Sequence, residues 1–392
     1  MLFQLIEVKK KITAERDKLV ASLFLRITCI TWLITKIITW RMWTTSRLFP
    51  LAPHFEFLVA PAAVHGLLFA VSVLLMLDLI FFNPTKKVLL CLLLAEVAAC
   101  LFDQARWQPW EYQFIFTLFI YIVSSHQVSK ILAGTGFLMV STYFYSGVGK
   151  FNPGFLYLFW DGMLLKSFFK LPDAVTHQSI VYYGGYVLGV IELIFGLGLL
   201  FFKTQKFCAW MLIAMHIFIM VVVGPLPFGL HYNFSVWPWN VLMIIQLYLV
   251  FIYEASAAIA VKELWQGWAK IVLIAWGFLP MLNHTLGWWD NFLSSRLFAG
   301  VHPQLVLCIQ DSAELKELKP YLYKKDPLNL CAGKAYVNIQ AWSMKEIKSP
   351  SYIEERVCRI IRKKWMESHP GSSTKGIIYY YTGLGKIRIA GD

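Results

Sequence analysis

Three ionisable side chains in otherwise apolar sequence could carry acid–base chemistry: Lys150, Glu192 and His216. Lys150 follows the apolar run 131–149, directly after two glycines, Gly147 and Gly149. Burial of an amine without a partner favours its neutral form, and a neutral amine can remove a proton from a phenol or hydroquinone. The pattern predicts a general base at Lys150. The alternative is a lysine whose stem is buried and whose ammonium reaches the membrane surface.

Glu192 and His216 lie in consecutive apolar runs that are joined by a short turn at residues 203–206. Each is about twelve residues from that turn, so a rise of about 1.5 Å per residue places both at a similar depth. We predict that the carboxylate lies beside the imidazole, which would offset the cost of burying either group and could relay a proton. A hydrogen-bonded pair that only fixes helix packing is the alternative.

Candidate substrate-binding residues come from three polar, aromatic-rich segments: 103–112, the region around Lys150, and 224–240. We expect the segments to converge on one outward-facing cavity beneath the C-terminal region. The alternative is that they are ordinary loops between membrane helices. The residues selected are Asp103, Arg106, Trp110, Asn152, His231, Asn233 and Trp239.

The composition indicates an all-α polytopic membrane helix bundle. Hydrophobic residues make up 58% of the chain and charged residues 15%, which is far more apolar than a typical soluble domain. Nine apolar runs have lengths suited to crossing, or nearly crossing, a bilayer: 19–40, 57–82, 87–102, 112–125, 131–149, 180–202, 206–223, 236–253 and 268–284. The net charge of +13 is dispersed between these runs. This distribution favours contact with lipid headgroups over nucleic-acid binding.

Lysine and arginine positions predict the orientation. Residues 1–18 carry several lysines and no cleavable signal sequence, and we expect this segment to be cytoplasmic. The bundle spans 19–284, with an interfacial helix near 155–170. With nine spans, residues 285–392 then form a small extracytoplasmic domain. We expect a multi-pass protein of a bacterial-type inner membrane.

The sequence pattern of the C-terminal region predicts a small α+β domain. Alternating stretches predict strands at 304–309, 335–339 and 376–381, and residues 353–366 show the apolar spacing of a helix. Three of the seven cysteines, Cys308, Cys331 and Cys358, lie in this region. None of the seven forms a Cys-x-x-Cys pair, so we interpret them as small buried residues, with one disulfide possible in the tail.

The helix end 143–153, Tyr-Phe-Tyr-Ser-Gly-Val-Gly-Lys-Phe-Asn-Pro, resembles the corresponding segment of the vitamin K-dependent gamma-carboxylase family. It is more similar to the related bacterial horizontally transferred transmembrane (HTTM) proteins. The resemblance covers residues 15–285. It implies that Lys150 deprotonates a reduced quinone, which then reacts with oxygen, and that Glu192 and His216 line the site.

This chain departs from that family in two regions. Where the family has Asn-His, this chain has Gln108-Pro109-Trp110, so a titratable imidazole is missing. The tail is also much shorter than the lumenal part of the animal enzyme. A reaction on a quinone or lipid-like substrate stays open, with the cofactor unknown and a reduced quinone as a candidate, and we do not expect carboxylation of protein glutamates. A non-enzymatic scaffold or assembly partner of an envelope protein stays open. A transporter is disfavoured because no internal repeat is visible.

Overall fold

The fold is that of a helix bundle with a small sheet-containing domain at one end. The computed structural model describes residues 2–125, 127–225, 229–230, 233–253, 265, 267–296, 298–300, 302–326, 328–383 and 386–391. His231, one of the predicted substrate-binding residues, lies outside this described part of the chain.

Ten long helices form the described part of the bundle region. Local chemistry sets several of their ends: Thr85 caps the third helix by accepting from the Val88 N–H, and Pro109 occupies the first turn of the fourth. The helices are α1 (Leu2–Ile38), α2 (Ala62–Phe81), α3 (Lys86–Phe102), α4 (Pro109–Val123), α5 (Val128–Gly149), α6 (Phe155–Phe168), α7 (Ser179–Gly198), α8 (Gln205–Val223), α9 (Val236–Tyr253) and α10 (Lys270–Leu286).

Six helices in the described part of the chain are long and apolar enough to cross a membrane. They are α1 from Glu15 to Ile38, α2, α5, α7, α8 and α9. All nine predicted runs are largely helical, but the number nine is not confirmed, because α3 has 17 residues, α4 has 15 and α10 is also short. At about 1.5 Å per residue, 15 residues extend roughly 22 Å, less than the hydrocarbon core of a typical bilayer.

α6 occupies the segment predicted to be an interfacial helix. It has the wider hydrogen-bonding pattern of a π-helix over 14 residues. Its Asp161 side chain is buried and accepts from Lys166, which also pairs with Asp173. The segment thus forms a separate helix between α5 and α7, with its charged residues paired to one another.

The C-terminal region is an α+β unit built on a five-stranded antiparallel sheet. The strands are β1 (Gln304–Cys308), β2 (Leu322–Tyr323), β3 (Tyr336–Asn338), β4 (Lys375–Gly383) and β5 (Lys386–Ile389), and their order is β2-β3-β1-β4-β5. Three helices complete it: α11 (Ser312–Glu317), α12 (Ile339–Glu346) and α13 (Glu355–Ser368). Cys308 and Cys331 form a disulfide, whereas Cys358 is a buried free thiol.

Direct hydrogen bonds fasten this unit to one end of the bundle. The buried Glu346 carboxylate accepts from the backbone N–H groups of Leu48 at 2.8 Å and Phe49 at 2.9 Å. Gln108 donates to the Pro350 carbonyl at 2.9 Å, and Arg356 donates to Gln104 at 3.0 Å. The unit therefore covers the bundle end at which α1, α3 and α5 finish.

Candidate functional site

Lys150 forms a salt bridge with Glu192. Its ammonium donates to Glu192 Oε2, and also to Ser146 Oγ at 2.8 Å and the Ser146 carbonyl at 3.3 Å. The two charged side chains are only 12% and 9% exposed. The amine is therefore a buried group with a charged partner. The prediction that Lys150 is basic assumed an amine without a partner, and that assumption does not hold.

Two glycines allow this pair to form. Gly147 of α5 lies against Gly189 of α7 so closely that a Cβ added at Gly147 would be 2.8 Å from the Gly189 carbonyl oxygen. Because side chains would hold the helix axes further apart, this close approach is typical of small residues at membrane helix interfaces. Lys150 and Glu192 each lie three residues beyond one of these glycines, and the short helix separation brings their side chains together.

His216 has different partners from those predicted. Its Nε2 lies 2.7 Å from the Tyr143 hydroxyl and its Nδ1 lies 2.6 Å from Asn240 Oδ1. The Asn240 amide nitrogen donates to the Val236 carbonyl at 2.6 Å, which leaves the amide oxygen facing the ring. The predicted contact between Glu192 and His216 is thus replaced by two separate polar groups, Lys150–Glu192 and Tyr143–His216–Asn240.

This arrangement sets the tautomer of His216. An amide oxygen only accepts, so Nδ1 carries the ring proton, and in the neutral ring Nε2 is then an acceptor. The Tyr143 hydroxyl consequently donates to Nε2. The chain of hydrogen bonds has one direction, from Tyr143 through His216 to Asn240.

Both polar groups line one cavity of about 180 Å³. Lys150, Glu192, Tyr143, His216 and Asn240 all contribute to its wall. Most of the remaining lining is aromatic or aliphatic, including Phe155, Phe159, Trp160, Met163, Leu188 and Met215. A mainly apolar cavity with a few polar groups on its wall is the usual form of a small-molecule site.

Among the residues that the structure describes, the C-terminal unit contributes one side chain to this cavity. Phe298 lines it, and its ring lies 5.2 Å from that of Phe159 on α6. Beside it, the backbones of Gly154 and Gly300 touch, since a Cβ added at Gly154 would be 2.0 Å from the Gly300 carbonyl oxygen. Asn152 secures the same junction by donating to the Gly149 carbonyl at 2.7 Å and the Ala299 carbonyl at 2.6 Å. Asn152 therefore connects α5 to the C-terminal unit.

No protein-family model, curated protein or solved structure matches this chain. The resemblance to the gamma-carboxylase and HTTM families stays a prediction, and the site has to be interpreted from its own geometry.

Asp103 and Arg106 belong to a separate buried network. The fully buried Arg106 guanidinium donates to the carbonyls of Met42 at 3.0 Å, Ala99 at 2.8 Å and Trp43 at 3.1 Å. Asp103 pairs with Arg47 and accepts from the Ala52 N–H at 3.2 Å. Burial lowers the pKa of Arg106 to about 10. These two residues do not line the cavity and instead satisfy backbone groups where α1 and α3 end.

The three predicted aromatic and amide residues that remain have different positions. Trp239 lines the cavity and donates to Gln113 at 2.9 Å. Asn233 is buried and accepts from the Ser235 hydroxyl at 2.7 Å. Trp110 is buried against Trp43 and Phe114. Of these three, only Trp239 is part of the cavity wall.

Sequence reasoning missed Tyr143, Ser146 and Asn240. Tyr143 resembled another aromatic residue of an apolar helix, and Ser146 resembled a small packing residue. Their spacing was the available signal, because residues three, four and seven apart lie on one face of a helix, and Tyr143, Ser146 and Lys150 follow that pattern. In the described part of the chain, no group of three His, Cys, Asp or Glu residues is placed to hold a metal ion.

Proposed function

We propose that this protein is a multi-pass membrane enzyme that removes a proton from an apolar hydroxyl compound, a reduced quinone or a lipid-like substrate, with Lys150 as the base. The observation that carries the proposal is the shared cavity: the Lys150–Glu192 pair and His216 line the same small apolar space.

The Lys150–Glu192 pair can accept a proton without leaving a second unpaired charge. As ammonium and carboxylate, or as amine and carboxylic acid, the pair is neutral. When a substrate O–H gives its proton to the pair, the products are an ammonium beside a protonated carboxyl group and a substrate oxyanion. The ammonium then faces the oxyanion, and an ion pair of this kind gains strength where water is excluded. Glu192 thus takes part by holding the proton that Lys150 gives up when it becomes the neutral amine.

The size of the cavity supports a substrate with one ring. An engineered apolar cavity of about 150 Å³ holds benzene, and the cavity here is about 180 Å³. A substituted aromatic ring fits that volume, with any apolar tail extending between helices toward the lipid. The scarcity of polar groups on the wall favours such a ligand over a sugar or a nucleotide.

We further propose nine membrane crossings, with the N-terminus cytoplasmic and the C-terminal unit outside a bacterial-type inner membrane. The lysine-rich N-terminal segment supports this orientation. The Cys308–Cys331 disulfide gives independent support, because disulfides persist in oxidising compartments and are rare in the cytoplasm. The cavity then opens near the outer face of the membrane.

Purified protein in detergent tests the role of Lys150 with a reduced alkyl quinone as the substrate. The quinol oxyanion that Lys150 would form is oxidised to the quinone by dissolved oxygen, so oxygen consumption is the readout. We expect Lys150→Met and Glu192→Gln each to lower the rate about a hundredfold or more, the usual range for losing a general base. Lys130→Met is the matched control, because Lys130 lies near the opposite end of α5, and it should leave the rate unchanged.

Full activity in Lys150→Met would show that Lys150 is not the base. If the parent protein neither binds nor oxidises the reduced quinone and copurifies instead with a stoichiometric protein partner, the scaffold hypothesis replaces the enzyme.

A further inference from the structure

The hydrogen-bonded chain of Tyr143, His216 and Asn240 has no part in the proton transfer assigned to Lys150. Its members come from α5, α8 and α9, and each is at most 4% exposed. All three line the cavity. Buried polar networks are expensive unless every member is satisfied, and here the Tyr143 O–H, both ring nitrogens of His216 and the Asn240 side-chain oxygen each have a partner. The three side chains therefore form one ordered polar group in the cavity wall.

The chain has the form of an acid–base relay. Asn240 holds His216 in the tautomer whose Nε2 accepts from Tyr143, in the way that the third member of a catalytic triad orients its histidine. The Tyr143 oxygen donates its only proton to His216, so its lone pairs are available to accept from a ligand in the cavity. A ligand hydroxyl can therefore donate to Tyr143 but gains nothing by accepting from it.

We infer that Tyr143, His216 and Asn240 form a second proton-accepting unit of the cavity, which takes the proton of a ligand hydroxyl through the Tyr143 oxygen. In the transfer, the ligand O–H bond breaks as a new O–H bond forms at Tyr143. The original Tyr143 proton moves to His216 Nε2. The products are a ligand oxyanion, a neutral tyrosine and an imidazolium whose Nδ1–H still donates to Asn240. No oxidant or further reactant is needed.

Two proton acceptors, Lys150 and Tyr143, line the same cavity, and together they indicate the class of ligand. Lys150 extends back along α5, because its ammonium contacts Ser146 one turn earlier, and this brings it toward the level of Tyr143. The two acceptors therefore lie on one face of α5 and border the same cavity. The ligand that uses both is an aromatic ring with two acidic hydroxyl groups, and not a lipid with one hydroxyl. This conclusion rests on the proposed function of the Lys150 site.

Binding of two matched ligands tests the inference. The probes are an alkyl-substituted 1,4-dihydroxybenzene and its mono-methyl ether, titrated anaerobically into the full-length protein in detergent. The ether can still donate to Lys150–Glu192 but has no second proton for Tyr143. Because the second hydroxyl adds one buried hydrogen bond, we expect the parent protein to bind the dihydroxy compound about tenfold more tightly.

Tyr143→Phe should abolish this preference while leaving the affinity for the ether nearly unchanged. Asn240→Leu should weaken the preference because it releases the tautomer of His216, whereas Asn240→Asp keeps the acceptor and should retain it. Tyr145→Phe is the control, since Tyr145 lies two residues along the same helix and donates to the Gly277 carbonyl outside the cavity. It should bind both ligands as the parent does.

The outcomes separate the inference from the proposed function. Equal affinities of the parent for the two ligands, or an unchanged preference in Tyr143→Phe, would overturn the inference and leave Lys150 untouched. Equal weakening of both ligands in Tyr143→Phe would assign Tyr143 a structural role. No binding of either ligand by the parent overturns the proposed function and the inference together. Loss of both ligands in Lys150→Met, combined with the selective loss in Tyr143→Phe, supports both.

Discussion

At the scale of single residues, the partner of a buried charge decides its chemistry. Counting residues from the turn at 203–206 places Glu192 and His216 at a similar depth, and both do line one cavity. Depth does not specify which way a side chain points around the helix. Glu192 faces α5 and meets Lys150, whereas His216 meets Tyr143 and Asn240. Depth alone therefore does not predict how these groups pair.

The most informative single carboxylate outside the membrane helices is Glu354, which joins the C-terminal unit to the loop after α10. Its Oε1 accepts from the Asn291 backbone N–H at 2.7 Å and from the Asn291 side chain at 2.9 Å. Burial raises the pKa of Glu354 to about 7, and the hydrogen bonds from Asn291 oppose this shift. An acid with a raised pKa stabilises the fold below its unfolded pKa, near 4.5, and that contribution is lost as the pH rises through about 7.

We therefore predict that Glu354→Gln becomes more stable than the parent as the pH rises. The two proteins should have similar thermal midpoints at pH 5, because glutamine can accept the same hydrogen bonds. By pH 8 the variant should be more stable by roughly 3 kcal/mol, the linkage value for a shift of this size. Thermal unfolding in detergent at several pH values measures the difference.

The control for this experiment is Glu56→Gln, which changes an exposed carboxylate paired with Lys363. It should not reproduce the rise in stability seen for Glu354→Gln. A difference between Glu354→Gln and the parent that stays constant from pH 5 to pH 8 would contradict the assignment of a raised pKa.

At the scale of helices, the contact between α5 and α7 positions the proposed base. Gly147 and Gly189 allow the two backbones to touch, and Gly196 makes a similar contact with Tyr143, where an added Cβ would be 2.7 Å from the tyrosine Cβ. One pair of helices thus positions Lys150 and Tyr143 together. Both proposed proton acceptors depend on the same closely packed interface.

Gly147→Leu should separate these helices and disrupt the Lys150–Glu192 pair. We expect a loss of about 1–3 kcal/mol in stability from overpacking, together with loss of ligand binding at the cavity. Gly66→Leu on α2 is the control, because a Cβ added there meets no atom within 4 Å. Thermal unfolding and ligand titration of both variants measure the effect. Wild-type binding in Gly147→Leu would show that the close approach is not required.

Helices and strands were predicted correctly where the apolar pattern of the sequence is long. They were missed where a short strand depends on pairing with a neighbouring strand. The apolar runs become helices with ends close to those predicted, and strands appear near 304–309, 335–339 and 376–381. β2, at Leu322–Tyr323, was missed because a two-residue strand exists only through its pairing with β3. β5 was missed although Lys-Ile-Arg-Ile alternates as a strand should.

At the scale of the whole molecule, two regions hold most of the buried charges in the described part of the bundle, and Asp161 on α6 lies outside both. One is the cavity. The other joins α1, α3 and α4, where Lys36 pairs with Glu96 at 2.7 Å and lies 3.0 Å from the centre of the Trp43 ring. Sequence analysis combined both regions into one predicted site, because Asp103 and Arg106 have residue types that can bind ligands. Their side chains already have partners in backbone carbonyls, backbone N–H groups, His65 and Arg47, which only the folded structure reveals.

The proposed orientation can be tested with cysteines introduced at two exposed lysines. A membrane-impermeant maleimide should label Lys319→Cys in intact cells, because α11 and its neighbours lie outside in this orientation. Lys203→Cys, in the turn between α7 and α8, should react only after the membrane is permeabilised. The parent protein measures background labelling of its own cysteines. The reverse pattern would place the C-terminal unit in the cytoplasm.

The contact between Gly154 and Gly300 also has a consequence for the order of assembly. Phe298, which closes part of the cavity, follows α10 in the chain and is therefore synthesised after every helix that builds the remaining wall. We expect the cavity to lack this aromatic residue during biogenesis until the C-terminal unit folds onto the bundle. A hydrophobic ligand that enters in that interval would not have to displace Phe298, so we expect maturation of the protein to favour loading of its site.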